Sequence, residues 1–305
     1  MPELPEVETI KLGLQKYLVG YRIEKVDVRL PKIFQGDPKD VEGAKIIGVR
    51  RFGKGLVIDL DNNYSIAIHI KLTGQLIYRG PETKDVKQSP KVGGTLPNKW
   101  THVIFKLKTQ SVRQAQGKNS KVKTTTQYAH LYYDDLRQFG WIKIVKSSKL
   151  KDLSFFRDLG PEPPVTTSIG VKPLTPELFR KIVKSSNTPI KPLIMDQKRI
   201  GGIGNIYAND GLFDAGIDPR RSAKQITEKE AKKLYNSLLK VLKAGFKYKG
   251  ASELNFVNVL GEEGKYQEHS LVYGRQGQQC KKCSGTIKKI FFAGRGTYYC
   301  PACQK

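Results

Sequence analysis

Cys280-Lys281-Lys282-Cys283 and Cys300-Pro301-Ala302-Cys303 are two Cys-x2-Cys knuckles separated by sixteen residues. Four thiolates at this spacing fit the tetrahedral demand of one zinc ion. Sites closed by four cysteines are structural, so the reading is a zinc-bound β-hairpin rather than a catalytic metal. The 279 residues that precede these cysteines contain none. Such clustering suits a metal site in a reducing compartment better than a disulfide framework. Residues 275–305 also hold seven Lys/Arg and no acid, with Lys288, Lys289 and Arg295 between the knuckles. A rigid basic hairpin suits a phosphate backbone or a groove.

Working back from that hairpin, the whole chain is basic. Over 305 residues, 54 Lys+Arg against 28 Asp+Glu leave a net charge of +26, which calls for a polyanionic partner. A hydrophobic fraction of 38% is enough for a core, so the chain is not a charged disordered tail. No apolar run approaches the ~18 residues that a membrane span needs. The acidic, proline-broken start is unlike a secretory signal. A cytoplasmic, nucleoid-associated monomer with no membrane partner is expected.

Residues 1–147 read as a mainly β unit behind an N-terminal helix. Val7, Ile10, Leu14 and Leu18 recur at helical spacing, with Pro5 and acidic residues in the first turn. Strand-like stretches fall at Gly55–Leu60, Tyr64–Ile70, His102–Lys108 and Gln127–Tyr133. Gln110–Thr126 reads as a long mobile basic loop, a solvated segment or a loose aid in holding phosphates. Residues 148–172 are a linker around the stiff Leu159-Gly160-Pro161-Glu162-Pro163-Pro164. Residues 173–250 are helical, with caps at Thr175-Pro176-Glu177 and Thr227-Glu228-Lys229-Glu230. Residues 251–305 are an irregular glycine-rich stretch followed by the cysteine hairpin.

Two further segments carry chemistry. Gly201-Gly202-Ile203-Gly204-Asn205-Ile206-Tyr207 lacks the third glycine and the preceding strand of a dinucleotide fingerprint. Opening a helix, it is either a clamp whose N–H groups hold a phosphate or a tight turn between helices. The chain start is Met1-Pro2-Glu3-Leu4-Pro5-Glu6-Val7-Glu8. Removal of Met1 leaves Pro2 with a secondary α-amine, and α-amines titrate near ~7.7–8.0. A neutral amine can attack a sugar carbon, and the adjacent Glu3 could shuttle protons. Taken alone, Pro2 reads as a residue that opens a helix, and the bare sequence does not license it as a nucleophile.

Together, the start, the Gly201–Tyr207 segment and the terminal cysteine hairpin resemble the formamidopyrimidine-DNA glycosylase family. The resemblance covers essentially the whole chain apart from the basic insertion near 109–127. It implies an α+β protein: an N-terminal β-sandwich, a helix–two-turn–helix domain and a four-cysteine zinc finger, with DNA in the cleft between the halves. It implies a bifunctional glycosylase and AP lyase acting on double-stranded DNA with an oxidised base, one structural Zn2+ on Cys280, Cys283, Cys300 and Cys303, and β,δ-elimination. Pro2 falls on the nucleophile, Glu3 on the general acid/base, Lys54 on the strand-loop lysine, and Arg295 on the fingertip arginine. Asn205 matches a phosphate-clamping asparagine. Leu72, Arg137 and Phe139 match the residues that fill the gap left by an extruded base. Leu4 tilts the resemblance to the oxidised-purine branch; an oxidised-pyrimidine glycosylase and a non-catalytic zinc protein on damaged DNA are the alternatives. Trp100, Gln138 and Asn187 depart from the family pattern, and the lesion-capping loop is expected within 249–269.

Overall fold

The computed structural model describes residues 1–83, 85–113, 123–166 and 170–305. Helix α1 (Leu4–Leu18) starts at the extended Glu3 and carries Pro5 in its first turn. Its periodic residues Val7, Ile10, Leu14 and Leu18 are all buried, as the spacing predicts. Each such side chain contributes about 1.5–3 kcal/mol of burial.

Nine strands follow: β1 (Arg22–Val28), β2 (Phe34–Gln35), β3 (Ile46–Phe52), β4 (Gly55–Leu60), β5 (Tyr64–His69), β6 (Gly74–Arg79), β7 (Thr101–Arg113), β8 (Lys123–Asp135) and β9 (Trp141–Lys146). They form a four-stranded sheet, β1-β7-β8-β6, and a five-stranded sheet, β2-β9-β5-β4-β3. The two sheets and the apolar face of α1 share one core, with Ile66, Ile68 and Ile70 meeting Phe105, Leu131 and Tyr133. This is the expected β-sandwich.

The reading of Gln110–Thr126 as a loop is corrected at both ends. The β7–β8 ladder runs on through Gln110↔Thr126 to Arg113↔Lys123. Thr125 and Thr126 are β-branched residues that favour a pleated ribbon, a signal the basic composition obscured. Residues 114–122 of the expected loop lie outside the described residues.

Past a short helix α2 (Ser154–Arg157) the chain becomes helical: α3 (Pro176–Lys184), α4 (Ile190–Met195), α5 (Asn205–Ala215) and α6 (Glu228–Lys247). Thr175 Oγ1 accepts from Leu178 N–H, and Thr227 with Glu230 forms the anticipated capping box. These helices close a second core that includes Phe179, Leu193, Tyr207, Leu234 and Leu238. Leu4 belongs to that helical core, whereas Val7 onward belongs to the sandwich core. Helix α1 thus bridges the halves and carries the chain start into the seam. A last short helix, α7 (Tyr266–His269), precedes the hairpin β10 (Lys288–Phe292) and β11 (Arg295–Tyr299). None of the described helices is long and apolar enough to cross a membrane.

Candidate active site at the seam of the two halves

Pro2 is buried and Glu3 is 2% exposed, so the start of the chain is embedded rather than trailing. Leu4 N–H donates to Gly202 O at 3.0 Å and fixes this segment against the glycine loop. The Glu3 carboxylate then faces the first turn of α5. Its Oε1 accepts from Ile206 N–H at 2.8 Å, and its Oε2 from Gly204 N–H at 2.9 Å and Tyr207 N–H at 3.4 Å. A helix N-terminus favours an anion through its free N–H groups and its dipole. The two readings of Gly201–Tyr207 therefore merge: the loop is a turn, and the anion in its cradle is the protein's own carboxylate. Glycine is required at 204, because a Cβ there would lie 2.4 Å from the Glu3 carboxyl carbon.

Glu6 supports this arrangement from beneath. Its Oε2 accepts from Glu3 N–H at 2.8 Å, and its Oε1 accepts from Tyr207 O–H at 2.7 Å and Ala251 N–H at 2.8 Å. Burial, together with the nearby Glu3 charge, pushes the Glu6 carboxyl up to about 6, although its hydrogen bonds pull the other way.

Met1, Pro2, Glu3, Lys54, Leu72, Asn205 and Arg295 all line one cavity of about 450 Å³, together with Glu253–Phe256 and Tyr273. Of the sequence-derived residues, Arg137 and Phe139 lie elsewhere, in the β8–β9 loop. Phe139 is 54% exposed, and the Arg137 guanidinium sits 4.8 Å from its ring centroid. The buried Asp135 joins that loop to Leu72's: its Oδ1 accepts from Thr73 Oγ1 at 2.5 Å and its Oδ2 from Gly140 N–H at 2.8 Å. Thr73 Oγ1 in turn accepts from Arg137 N–H at 3.0 Å. Leu72, Arg137 and Phe139 are thereby presented by two loops tied at one carboxylate.

Lys54 sits in the tight β3–β4 turn and is only 3% exposed. Burial pushes its ammonium below the usual lysine range, opposed by Glu3 and Glu6 and reinforced by the Arg295 charge. The α-amine of Met1 is likewise lowered, chiefly by burial. The turn is held by a buried ion triad. Arg51 Nε meets Glu8 Oε2 at 2.7 Å, and Arg51 Nη1 meets Glu162 Oε2 at 2.5 Å. Glu162 comes from the segment between the halves, so one guanidinium ties α1, β3 and that strap together.

The fingertip is anchored as firmly. Lys191 Nζ donates to Gly296 O at 3.1 Å and Thr297 Oγ1 at 2.6 Å, and Asn205 Nδ2 donates to Gly296 O at 3.0 Å. Tyr298 N–H donates to Asn209 Oδ1 at 2.8 Å. Arg295 is thus held over the cavity by α4 and α5. Burial draws the Lys191 ammonium down to about 7, with Glu3 opposing and Arg295 adding to the fall. Sequence reasoning missed Lys191, Glu6, Asp135 and the Arg51 triad. The one available signal was Lys191 itself, a charge inside the otherwise apolar Ile190–Met195 helix.

Below the fingertip, the four cysteine Sγ atoms lie within 4.8 Å of one another. The Cys280–Cys303 and Cys283–Cys300 separations are 3.8 and 3.6 Å. A zinc tetrahedron with ~2.3 Å bonds has edges of about 3.8 Å, so the donor set fits one closed structural Zn2+.

A helical DNA-binding unit, a β-sandwich that buries its own N-terminus and a zinc-bound basic hairpin, converging on one cavity, define a DNA-processing enzyme. Models of the formamidopyrimidine-DNA glycosylase N-terminal domain, of its H2TH domain, and of the zinc finger found in FPG and IleRS match residues 1–142, 159–256 and 277–305. The formamidopyrimidine-DNA glycosylase of Pelotomaculum thermopropionicum is 35% identical over 100% of this chain and 99% of its own length. That of Heliobacterium modesticaldum is 35% identical over the full length of both. Among solved structures, a Lactococcus lactis FPG mutant in complex with Fapy-dG containing DNA superposes with a TM-score of 0.80 at 28% identity, covering 100% of each chain. The chain belongs to the formamidopyrimidine-DNA glycosylase family, DNA glycosylases with AP lyase activity.

Proposed function

We propose that this protein excises oxidised purines, 8-oxoguanine and formamidopyrimidines, from double-stranded DNA, using the Pro2 amine as nucleophile once Met1 is removed. The supporting observation is the convergence of Pro2, Glu3, Lys54, Asn205 and Arg295 on one cavity. The Pro2 nitrogen attacks C1′ of the extruded nucleotide, and the C1′–N bond breaks with its electron pair leaving on the base. Opening of the sugar ring gives an iminium between Pro2 and C1′, with Glu3 exchanging protons at the sugar oxygen. The cationic adduct makes the C2′ proton removable. Loss of that proton expels the 3′ phosphate, and a second elimination expels the 5′ phosphate. Lys54 and Arg295 offset the phosphate charge during these departures, and Asn205 orients the same phosphates. Leu72 and Phe139 wedge into the vacated stack, and Arg137 hydrogen-bonds the orphaned cytosine.

Borohydride trapping on an 8-oxoguanine:C duplex, with mass mapping of the adduct, tests this. The expected adduct is on Pro2. An adduct on a lysine overturns the assignment, and no adduct from protein shown to lack Met1 overturns the mechanism. Faster cleavage of a thymine-glycol duplex would move the enzyme to the pyrimidine branch.

A further inference from the structure

Beside the cavity at the seam lies a second crevice, of about 520 Å³. The two are neighbours: Gln197 lines both, and Lys71 lines the crevice while the next residue, Leu72, lines the cavity. Three lysines reach the crevice from three separate elements: Lys71 from the β5–β6 loop, Lys143 from β9 and Lys198 from the α4–α5 loop. Lys71 is held in the left-handed region at φ 51, a conformation unusual for a residue with a side chain. Its backbone N–H donates to His69 Nδ1 at 3.0 Å, which fixes this bend. The wall is aromatic: Trp141 and Phe155 meet edge to face at 5.9 Å, and the Lys143 ammonium lies 5.4 Å from the Trp141 centroid. The acid in the crevice is Asp158, whose charge is shared between Arg157 at 3.0 Å and Lys198 at 3.4 Å. The balance is positive, on an apolar floor.

We infer that this crevice is a subsite for the flank of the lesion-bearing strand, taking a nucleotide unit whose phosphate is neutralised by Lys71, Lys143 and Lys198. The inference rests on the deoxyribose occupying the Pro2 cavity, since a strand leaving that cavity past Gln197 and Leu72 enters the crevice. A void of this size is too large for a phosphate alone. Trp141 and Phe155 give it a surface for the sugar and base, while the lysines meet the backbone.

The test is fluorescence anisotropy with duplexes that carry an uncleavable abasic analogue, titrated across KCl concentrations. Each phosphate neutralised on a duplex contributes about −0.9 to the slope of log K against log salt. K71Q/K143Q/K198Q is therefore expected to make the slope shallower by about 1, a loss of roughly fivefold in affinity near ~0.15 M salt. Shortening the lesion strand on one side should cost the wild type the same increment and the triple variant nothing. The melting temperature should show an intact fold. An unchanged slope, or a variant as sensitive to shortening as the wild type, overturns the subsite and marks the lysines as a solvated face. Failed borohydride trapping by the wild type would instead sink the Pro2 reading, and the salt slopes would still be readable.

Discussion

Glu3→Gln isolates the contact on which the site is built. Three N–H groups, of Gly204, Ile206 and Tyr207, converge on the two oxygens of one carboxylate. A carboxamide has one accepting oxygen, so either orientation turns an NH2 group toward at least one N–H donor. Each hydrogen bond to a charged group is worth about 1.5–3 kcal/mol, and a buried donor left unpaired costs about 1–3 kcal/mol. The lost charge at the α5 N-terminus adds roughly 0.3–1 kcal/mol. Relief of repulsion with Glu6, which Glu3 pushes upward, returns part of this. The net expectation is a destabilisation of about 2–4 kcal/mol, which lowers Tm by roughly 3–6 °C for a protein of this size. Calorimetry at pH 7 reads the melting, and single-turnover incision of an 8-oxoguanine duplex reads the chemistry, expected to fall by about two orders of magnitude or more. A variant that melts within about a degree of the wild type would show that the carboxylate is not what holds the start of the chain to α5.

The other expectations follow from neighbouring groups. Glu6 binds its proton more tightly folded, near 6, than unfolded, near 4.5, so stability should fall by about 2 kcal/mol as pH rises through that window and stay level above it. Urea midpoints across the window should lose this slope in Glu6→Gln. Arg51→Met takes the buried guanidinium from two buried carboxylates, leaving Glu8 with Lys11 and Glu162 with the Gly53 N–H, and should cost about 3–5 kcal/mol, while E8Q/R51M/E162Q should recover most of it; denaturant melts measure both. Chelating the zinc should unravel residues 280–303, weaken DNA binding and leave the helical circular dichroism signal in place. A DNA phosphate near Lys191, now at about 7, should raise it, so binding at neutral pH should take up a fraction of a proton; calorimetry in buffers of different ionisation enthalpy detects it, and zero uptake counts against a phosphate there.

What could be read from the sequence was local. Val7, Ile10, Leu14 and Leu18 declare a helix face because periodicity is carried within one element. The cysteine knuckles declare a metal because ligand spacing within each pair is short. Long-range pairing left no such trace: Arg51 finds Glu162 and Thr73 finds Asp135 only because the sheets and the strap fold them together. The β7–β8 ribbon was hidden differently, since lysines and glutamines on an unsupported ladder look like solvated loop until the partner strand is known.

The same distinction explains the glycine segment. Its residues announce exposed N–H groups at a helix start, and an external phosphate and an internal carboxylate satisfy such groups equally well. The choice was settled some 200 residues away, by Glu3. With that carboxylate in the cradle, the proposed mechanism leaves phosphate binding to cations: Lys54 and Arg295 line the cavity, and Lys191 lines an adjoining pocket with Arg295. Lys54 and Lys191 are kept below the ordinary lysine range by burial and by Arg295. They are therefore under-solvated charges, and an arriving phosphate replaces hydration they have already lost. Such sites gain more from an anion than surface lysines do, because the low-dielectric surroundings strengthen the attraction. The start of the chain thus plays two parts. Under the proposed mechanism it supplies Pro2, and through Glu3 it fills a backbone cradle that would otherwise compete for the phosphate.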